Sequence, residues 1–440
     1  MNRLNNFSNV RVESIFDAIG VYQTPFYLYD EQLIIDRCKQ ALNMPNAYGI
    51  TVRYAMKANS TKAIMQIIQG QGLHFDASSL NEAKRAVSAG IPHDSILLTT
   101  QEVPAGDRRA ELEQMMLAGM QYNVCSLRQL FLAGDFVQAH GIPLSIRVHP
   151  GVGAGETASR NTGDDYSCFG VHLSDIDEVL EYANKKNIVF NRVHTHIGSG
   201  GDPEMWQNNI DIELDIINEY FPDAKIINLG GGLKEARMPD ETAANIEQLG
   251  LYAKRQLELF YARTGRKLKM EVEPGTYIMA NAGYIVTSVV DKKITGENGF
   301  NFVILDGGMD VNARPAMYGS RHPFYVLGEN GELKYSDYFP DIASRNKYEA
   351  VIVGCCCESG DCQTLNGAGE IVPREIAQPE ISDYIVIGGA GAYCSSMTPF
   401  NYNSHEQAAE VLLTEGKEIK LVRRRQSLEQ MEQSDLDYTK

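Results

Sequence analysis

Four short segments carry side chains suited to chemistry, and each follows a run of apolar, β-type residues. The first is Tyr54-Ala-Met-Lys57-Ala-Asn59. A lysine that closes an apolar strand is either a solvated surface residue or a desolvated amine able to form a Schiff base with a carbonyl carbon. The second is His194-Thr-His196-Ile-Gly-Ser199-Gly-Gly201, and the third is Asn228-Leu-Gly230-Gly231-Gly232. Glycine-rich turns at strand ends let backbone N–H groups approach a phosphate, although a glycine triplet can also be only a tight turn. No Gly-Lys-Ser/Thr follows them, and no Gly-x-Gly-x-x-Gly opens a helix after a strand. A phosphate held there would therefore belong to something other than a nucleotide. The fourth segment, Glu271-Val-Glu273-Pro-Gly275-Thr276, puts carboxylates at the end of another strand.

The run Cys355-Cys356-Cys357, with Cys362 nearby, invites a metal reading. Adjacent thiols are badly spaced for one tetrahedral zinc, and no companion Cys-x-x-Cys exists, so no metal is expected. Eight cysteines in 440 residues are too sparse for a disulfide scaffold. Met1 to Val12 is polar, without the apolar segment of a secretory signal. No apolar run reaches the ~18 residues that span a bilayer. A reducing cytoplasm is the simplest setting.

The elements that must position these side chains alternate. Strand-like runs at 49–56, 73–77, 95–99, 121–124, 142–148, 189–195, 226–229 and 267–272 are separated by helical patterns. Asp30 is a plausible N-cap for a helix to Leu42, and Ser174 for one to Lys185. About eight strand-then-helix units in roughly 240 residues favour a closed parallel barrel, the (β/α)8 TIM-like fold, whose functional residues gather at strand C-termini. From about Gly283 the pattern becomes short β-rich runs separated by turns, with a helical pattern at His405 to Leu413. The expected division is a barrel domain over 45–283 and a mostly antiparallel β domain built from 1–44 and 284–440. Lys plus Arg is 40 and Asp plus Glu is 57, a net charge of −17. Such a surface repels phosphate backbones, so neither nucleic acid nor an anionic membrane is an expected partner. A local anion site is still compatible with it.

Taken in order, Tyr54-Ala-Met-Lys57-Ala-Asn59, His194-x-His196-Ile-Gly-Ser199, Gly230-Gly-Gly232 and Glu273-Pro-Gly275 resemble the fold-type III pyridoxal-phosphate decarboxylases. So do Asp306-Gly-Gly-Met309, Arg314-Pro-Ala-Met-Tyr318, Cys357-Glu-Ser-Gly-Asp361, Gly391-Ala-Tyr393 and Tyr402-Asn403. The resemblance runs from about Pro25 to Arg425, and the branch it looks most like is diaminopimelate decarboxylase, within the ornithine/diaminopimelate/arginine decarboxylase family. It implies an alanine racemase-like pair of domains, pyridoxal 5'-phosphate as cofactor, and decarboxylation of a diamino acid, with meso-diaminopimelate going to L-lysine. It further implies that Lys57 links covalently to the cofactor, His196 stacks on its ring, and Glu273 pairs with the ring nitrogen. Ser199, Gly230, Gly231, Gly232, Gly275, Thr276 and Tyr393 would bind the phosphate. Asp76 would be a second carboxylate near the cofactor, or else a helix N-cap. Cys357 would protonate the α-carbon. Arg314, Tyr318, Glu358 and Asp361 would meet the substrate, the alternative for Arg314 being a domain-bridging salt bridge. In the family the Cys357 segment reaches the site from the partner subunit, so a homodimer is implied.

Two departures bear on the substrate. The family usually reads Glu-Pro-Gly-Arg and Lys-Phe-Gly, where this chain has Thr276 and Cys168. Two positive charges are missing near an anionic site, which weighs toward a plain diamino acid, as in a D-ornithine/D-lysine-type decarboxylase. Arg147, Arg160 and Arg321 are the candidates to compensate. Glu273 and Cys357 argue against an amino-acid racemase of the same fold. The β domain argues against a non-catalytic cofactor-binding protein.

Overall fold

The computed structural model describes residues 6–7, 10–153, 162–163, 167–198, 203–339 and 347–438. The chain forms two units, one of Ile35–Glu235 and Thr242–Ile278, the other of Met1–Ile34, Ala236–Glu241 and Met279–Lys440.

The strand β1 (Phe26–Asp30) is buried along its whole length and belongs to the second unit. Asp30 then accepts the Leu33 N–H at 3.0 Å and starts the helix Glu31–Leu42, as its position predicts. Eight strands follow in the first unit. They are β2 (Ile50–Ala55), β3 (His74–Ala77), β4 (Ile96–Thr99), β5 (Gln121–Val124), β6 (Leu144–Arg147), β7 (Phe190–His194), β8 (Ile226–Asn228) and β9 (Lys269–Val272). Each pairs in parallel with its neighbours, and β9 returns to β2 to close the barrel. Parallel neighbours need crossovers, which the intervening helices supply. Several of these helices begin on a side-chain cap: Ser79 accepts from Glu82 N–H, Ser126 from Gln129 and Asn245 from Gln248. Ser174 is not a cap. It lies inside a short 3-10 turn where His172 accepts its N–H, and the helix proper runs Ile176–Lys186.

The second unit is a mostly antiparallel sheet around the long strand Gly283–Ile294, which pairs with β1, Asn301–Leu305 and Tyr384–Ile387. Its core joins Phe26, Leu28, Tyr284, Val286, Leu327, Val386 and Val411, with Ile15 of the helix Val12–Ile19 packed in. The helix expected at His405 to Leu413 is a strand, Ala409–Leu413. A short apolar run suits either structure. Here β1 pairs in parallel on one side and Ile419–Arg423 antiparallel on the other, and sheet hydrogen bonds decide it.

Alternate strand residues face the barrel interior, and several are ionic. Glu271 receives Arg53 (2.9 and 3.1 Å) and Arg192 (2.7 and 3.1 Å), all three buried. Gln121 accepts from both guanidiniums, and Ser145 takes a further Arg192 N–H at 2.7 Å. Burial alone would raise the Glu271 carboxyl, but the two guanidiniums outweigh it and hold it at about 2. An unfolded glutamate has its ordinary value of 4.5, so this contribution to stability is whole above that pH and is lost as pH falls toward 2. Glu271→Gln leaves two buried cations facing each other. It should cost about 3–5 kcal/mol at neutral pH and flatten the acid limb of stability. Thermal unfolding across pH checks this, and an unchanged midpoint would contradict it.

Candidate active site

Lys57 sits in a single 3-10 turn, Met56–Ala58, directly after β2; Met56 and Ala58 are buried and Lys57 is exposed. Tyr54 OH donates to the Asn59 carbonyl (2.9 Å), and Asn59 Oδ1 takes the Thr61 N–H (3.0 Å), which fixes the turn. Ala55 N–H donates to the Pro274 carbonyl, tying this turn to the one that carries Glu273. The adjacency of β2 and β9 thus brings the lysine and the carboxylate to one end of the barrel.

Glu273 is buried, yet its polar contacts are neutral. Its Oε1 accepts Asn228 Nδ2 at 2.7 Å, and His194 Nε2 lies 3.4 Å from Oε2. The Asn123 amide donates to His194 Nδ1 at 2.7 Å, which assigns the proton to Nε2, facing the carboxylate. Burial, then the positive charges of Arg147, Lys57 and Arg192, push His194 well below the ordinary histidine value. His196 is lowered likewise, by burial and then Arg147 and Lys57, and its Nδ1 accepts the Gly231 N–H at 3.2 Å. Both rings are therefore neutral.

Asp76, in β3, is buried beside Glu273. Burial first, then the charge of Glu273, raise its carboxyl well above the ordinary range. Burial raises Glu273 too, but the Asn228 hydrogen bond and the charges of Lys57, Arg53 and Arg147 oppose this. Both carboxyls are thus raised, Asp76 the further of the two. The N-cap of the next helix is Ser79 rather than Asp76.

The glycine turn has a steric reason. A Cβ on Gly230 would lie 2.7 Å from the Thr195 carbonyl oxygen, on Gly231 2.8 Å from that of Glu273, and on Gly232 2.8 Å from that of Gly198. Gly230 and Gly232 also have positive φ. The turn lies against its neighbours with no room for a side chain; Gly230 N–H donates to Asn228 Oδ1 (3.0 Å) and Gly231 N–H to His196 Nδ1 (3.2 Å). Gly275 is buried and Thr276 half-buried at the head of the short helix Thr276–Met279. Ser199 and Arg160 lie outside the described residues.

The other residues singled out from the sequence lie in the second unit. Arg314 is buried; its Nη2 donates to Ser320 Oγ (3.2 Å), its guanidinium faces the Tyr393 ring at 5.9 Å, and its Nε has no partner among the described residues. Among the described residues it makes no ion pair. Tyr393 has φ of 60° in a turn where Gly391 meets Gly283 so closely that a Cβ on Gly283 would fall 2.3 Å from the Gly391 Cα. Tyr318 OH contacts Met397 Sδ at 3.8 Å. Cys357 and Glu358 are exposed. Cys357 N–H is held by Asn403 (2.7 Å), and Glu358 takes the Tyr402 OH (3.2 Å). Asp361 is buried, and its carboxylate accepts the N–H groups of Met309 (2.6 Å) and Cys356 (2.8 Å). It ties two loops together. Arg321 is occupied by Asp240 at 2.9 and 3.0 Å.

Asn123, His194 and Asn228 had no assigned role from sequence, and Arg147 only that of a candidate to compensate the missing cations, although they complete the barrel layer around Glu273. The available signal was their period of two with buried neighbours, as in Arg192–His194 and Ser145–Arg147. Asp76 Oδ1, Asn123 Oδ1 and Arg147 Nη2 are buried without hydrogen-bond partners among the described residues. Orphaned polar atoms at the same end of the barrel as a glycine turn without side chains fit a polar ring-and-phosphate ligand. Among the described residues no group of three or more His, Cys, Asp or Glu side chains is placed to hold a metal, and no helix is long and apolar enough to cross a membrane.

Residues 32–280 match the model of the pyridoxal-dependent decarboxylase family's pyridoxal-binding domain. The diaminopimelate decarboxylase of Escherichia coli is 31% identical over 429 residues, covering 96% of both chains. That of Methanothermobacter thermautotrophicus is 33% identical over 420 residues, covering 92% of this chain and 90% of the other. A crystal structure of diaminopimelate decarboxylase superposes with a TM-score of 0.86 at 29% identity, covering 97% of this chain and 98% of that one. The Helicobacter pylori enzyme complexed with L-lysine gives a TM-score of 0.77 at 27% identity, covering 95% and 98%.

The histidine arrangement predicts that His194 and His196 stay neutral, with the His194 proton on Nε2, well below the ordinary midpoint of about 6.5. Selective 15N labelling and NMR titration check this. A midpoint at or above that value, or an Nδ1–H tautomer for His194, would contradict the network.

Proposed function

This chain belongs to the pyridoxal-dependent decarboxylases, and on that premise we propose that it converts meso-diaminopimelate to L-lysine and CO₂. It is a carboxy-lyase that uses pyridoxal 5'-phosphate. The observation that carries the residue assignment is the pairing of Lys57 and Glu273 on neighbouring strand ends within a layer of orphaned polar atoms.

When bound, the cofactor supplies an electron sink for the pair left behind as CO₂ departs. In this reading Lys57 is the amine that anchors it. Glu273, which accepts the Asn228 amide and has His194 Nε2 at 3.4 Å, would face the ring nitrogen and favour its proton. His196, neutral and fixed by Gly231, offers a flat face for the ring. The backbone of Gly230 to Gly232, with Ser199, Gly275, Thr276 and Tyr393, takes the phosphate. Arg314, buried with an unpartnered Nε, receives a substrate carboxylate, with Tyr318 beside it. Glu358 receives an ammonium group. Cys357 delivers the proton to the α-carbon, and Asp361 holds the turn that presents it. Cys357 and Glu358 stand exposed on the single chain, which supports a homodimer in which each copy completes the other's site.

Thr276 and Cys168 favour a second reading, a decarboxylase of D-lysine or D-ornithine, which carry one carboxylate fewer. A panel of meso-diaminopimelate, D-lysine, D-ornithine and the L forms, assayed for CO₂ release, separates the two. The expected result is a kcat/KM for meso-diaminopimelate higher than for any other by on the order of 100-fold. A preference for D-lysine would replace the first reading by the second, and release from none would sink both. Cys357→Ala should lower turnover by about 10²–10⁴-fold and leave cofactor attachment intact. Lys57→Ala should abolish both. Mixing the two inactive variants should restore activity through hybrid dimers. No recovery despite subunit exchange would mean that both residues act within one chain.

A further inference from the structure

We propose that Glu213 is a positioning residue for the reaction, tying the strand ends that carry His194, His196 and Asn228 to the helix Pro203–Tyr220 through a closed ring of hydrogen bonds with Thr195 and Asn209. The inference rests on the family reading above, and it concerns residues to which that reading gives no role. Thr195, Asn209 and Glu213 are all fully buried. Asn209 and Glu213 stand one turn apart on the helix. Thr195 follows β7, between the two histidines, and its side chain turns outward to meet them. Thr195 Oγ1 donates to Glu213 Oε2 at 2.5 Å, and Asn209 Nδ2 donates to Thr195 Oγ1 at 2.8 Å.

Two oxygens complete the ring. Glu213 Oε1 and Asn209 Oδ1 are buried without hydrogen-bond partners among the described residues. Side chains four residues apart on a helix are neighbours. A proton on Glu213 Oε1 would donate to Asn209 Oδ1 and answer both. The surroundings favour that proton. Burial raises the Glu213 carboxyl well above the ordinary range; the Thr195 hydroxyl and the Asn228 N–H oppose this, and the charge of Glu273 adds to it. No cation is among the groups that act on it.

The ring reaches the candidate site through Thr195 and Asn228. The Thr195 N–H donates to the Asn228 carbonyl at 3.0 Å. Asn228 in turn donates to Glu273 Oε1 (2.7 Å) and accepts the Gly230 N–H (3.0 Å). Trp206, on the same helix, backs the glycine turn: its Cδ1 would lie 3.9 Å from a Cβ on Gly232. The support therefore extends to the carboxylate assigned to the ring nitrogen and to the turn assigned to the phosphate. Packing alone does not call for an acid at this place. The helix buries Trp206, Ile210, Leu214 and Ile217 beside Glu213, and an apolar side chain would avoid the cost of desolvating a carboxyl. What the acid adds is direction, since a hydrogen-bonded ring fixes the strand ends where dispersion contacts would let them shift.

The test uses the full-length protein with Glu213→Leu, Glu213→Gln and Thr195→Val. Three quantities are read: the Kd for pyridoxal phosphate without substrate, and kcat and KM at saturating cofactor. Glu213→Leu should weaken cofactor binding about tenfold and lower kcat by about 10–100-fold, with KM little changed. Glu213→Gln should restore both to within about threefold, because its amide accepts from Thr195 and donates to Asn209 as the protonated acid does. Thr195→Val removes one bond of the ring at nearly constant shape. It should weaken cofactor binding about threefold or more, and with Glu213→Gln it carries the test if the Leu variant does not fold. A lowered melting temperature with Kd and kcat unchanged in Glu213→Leu and Thr195→Val would overturn the proposal, leaving Glu213 a structural residue only. Equal losses in the Gln and Leu variants would overturn it too, since a neutral ring would then not suffice. Absence of any visible absorption band in the wild-type protein given cofactor would instead defeat the family reading beneath it.

Discussion

Two glutamates two residues apart, Glu271 and Glu273, set the terms for the rest of the barrel. Glu271 is clasped by two guanidiniums and held at about 2, so it is spent as structure. Glu273 has a neutral hydrogen-bond donor in Asn228, its cations stand further off, and burial leaves its carboxyl raised rather than lowered. The same residue type does opposite work because its neighbours differ. A buried ion cluster such as the one on Glu271 is weak evidence for net stability, since desolvation offsets much of the attraction. Its value here is that it pairs Arg53 and Arg192 inside the barrel, with only Arg53 Nη1 of the two guanidiniums left without a hydrogen-bond partner among the described residues.

The barrel was legible in the sequence because eight strand-and-helix alternations in this length leave few other folds. The motif residues Lys57, His196 and Glu273 stood out because polar residues end otherwise apolar runs. The interior was not legible. Asn123, Arg147 and Arg192 sit in strands where polar alternation ordinarily marks a solvated face, and only closure of the barrel turns that face inward. Ala409–Leu413 misled for a related reason: four apolar residues around Glu410 carry no clear period, and pairing with β1 decides their form. Asp361 reads in sequence as a ligand carboxylate, and in the fold its two oxygens accept backbone N–H groups. That arrangement leaves no trace in sequence spacing.

The chain's departures from its family acquire a physical meaning in this frame. Thr276 and Cys168 remove cations from an anionic site in a protein whose net charge is already −17. The positive charge that remains is buried and fixed: Arg147 against Phe169, and Arg314 beside Tyr393. Burial makes each such charge count for more than an exposed one, because water does not screen it.

The central claim is that Glu273, oriented by Asn228 and His194, keeps the cofactor's ring nitrogen protonated. NMR of the protein loaded with pyridoxal phosphate labelled with 15N in the ring reads that proton directly. At neutral pH the wild type should give the shift of a protonated ring nitrogen, and Glu273→Gln that of an unprotonated one. An unprotonated nitrogen in the wild type, or a protonated one retained in Glu273→Gln, would contradict the account.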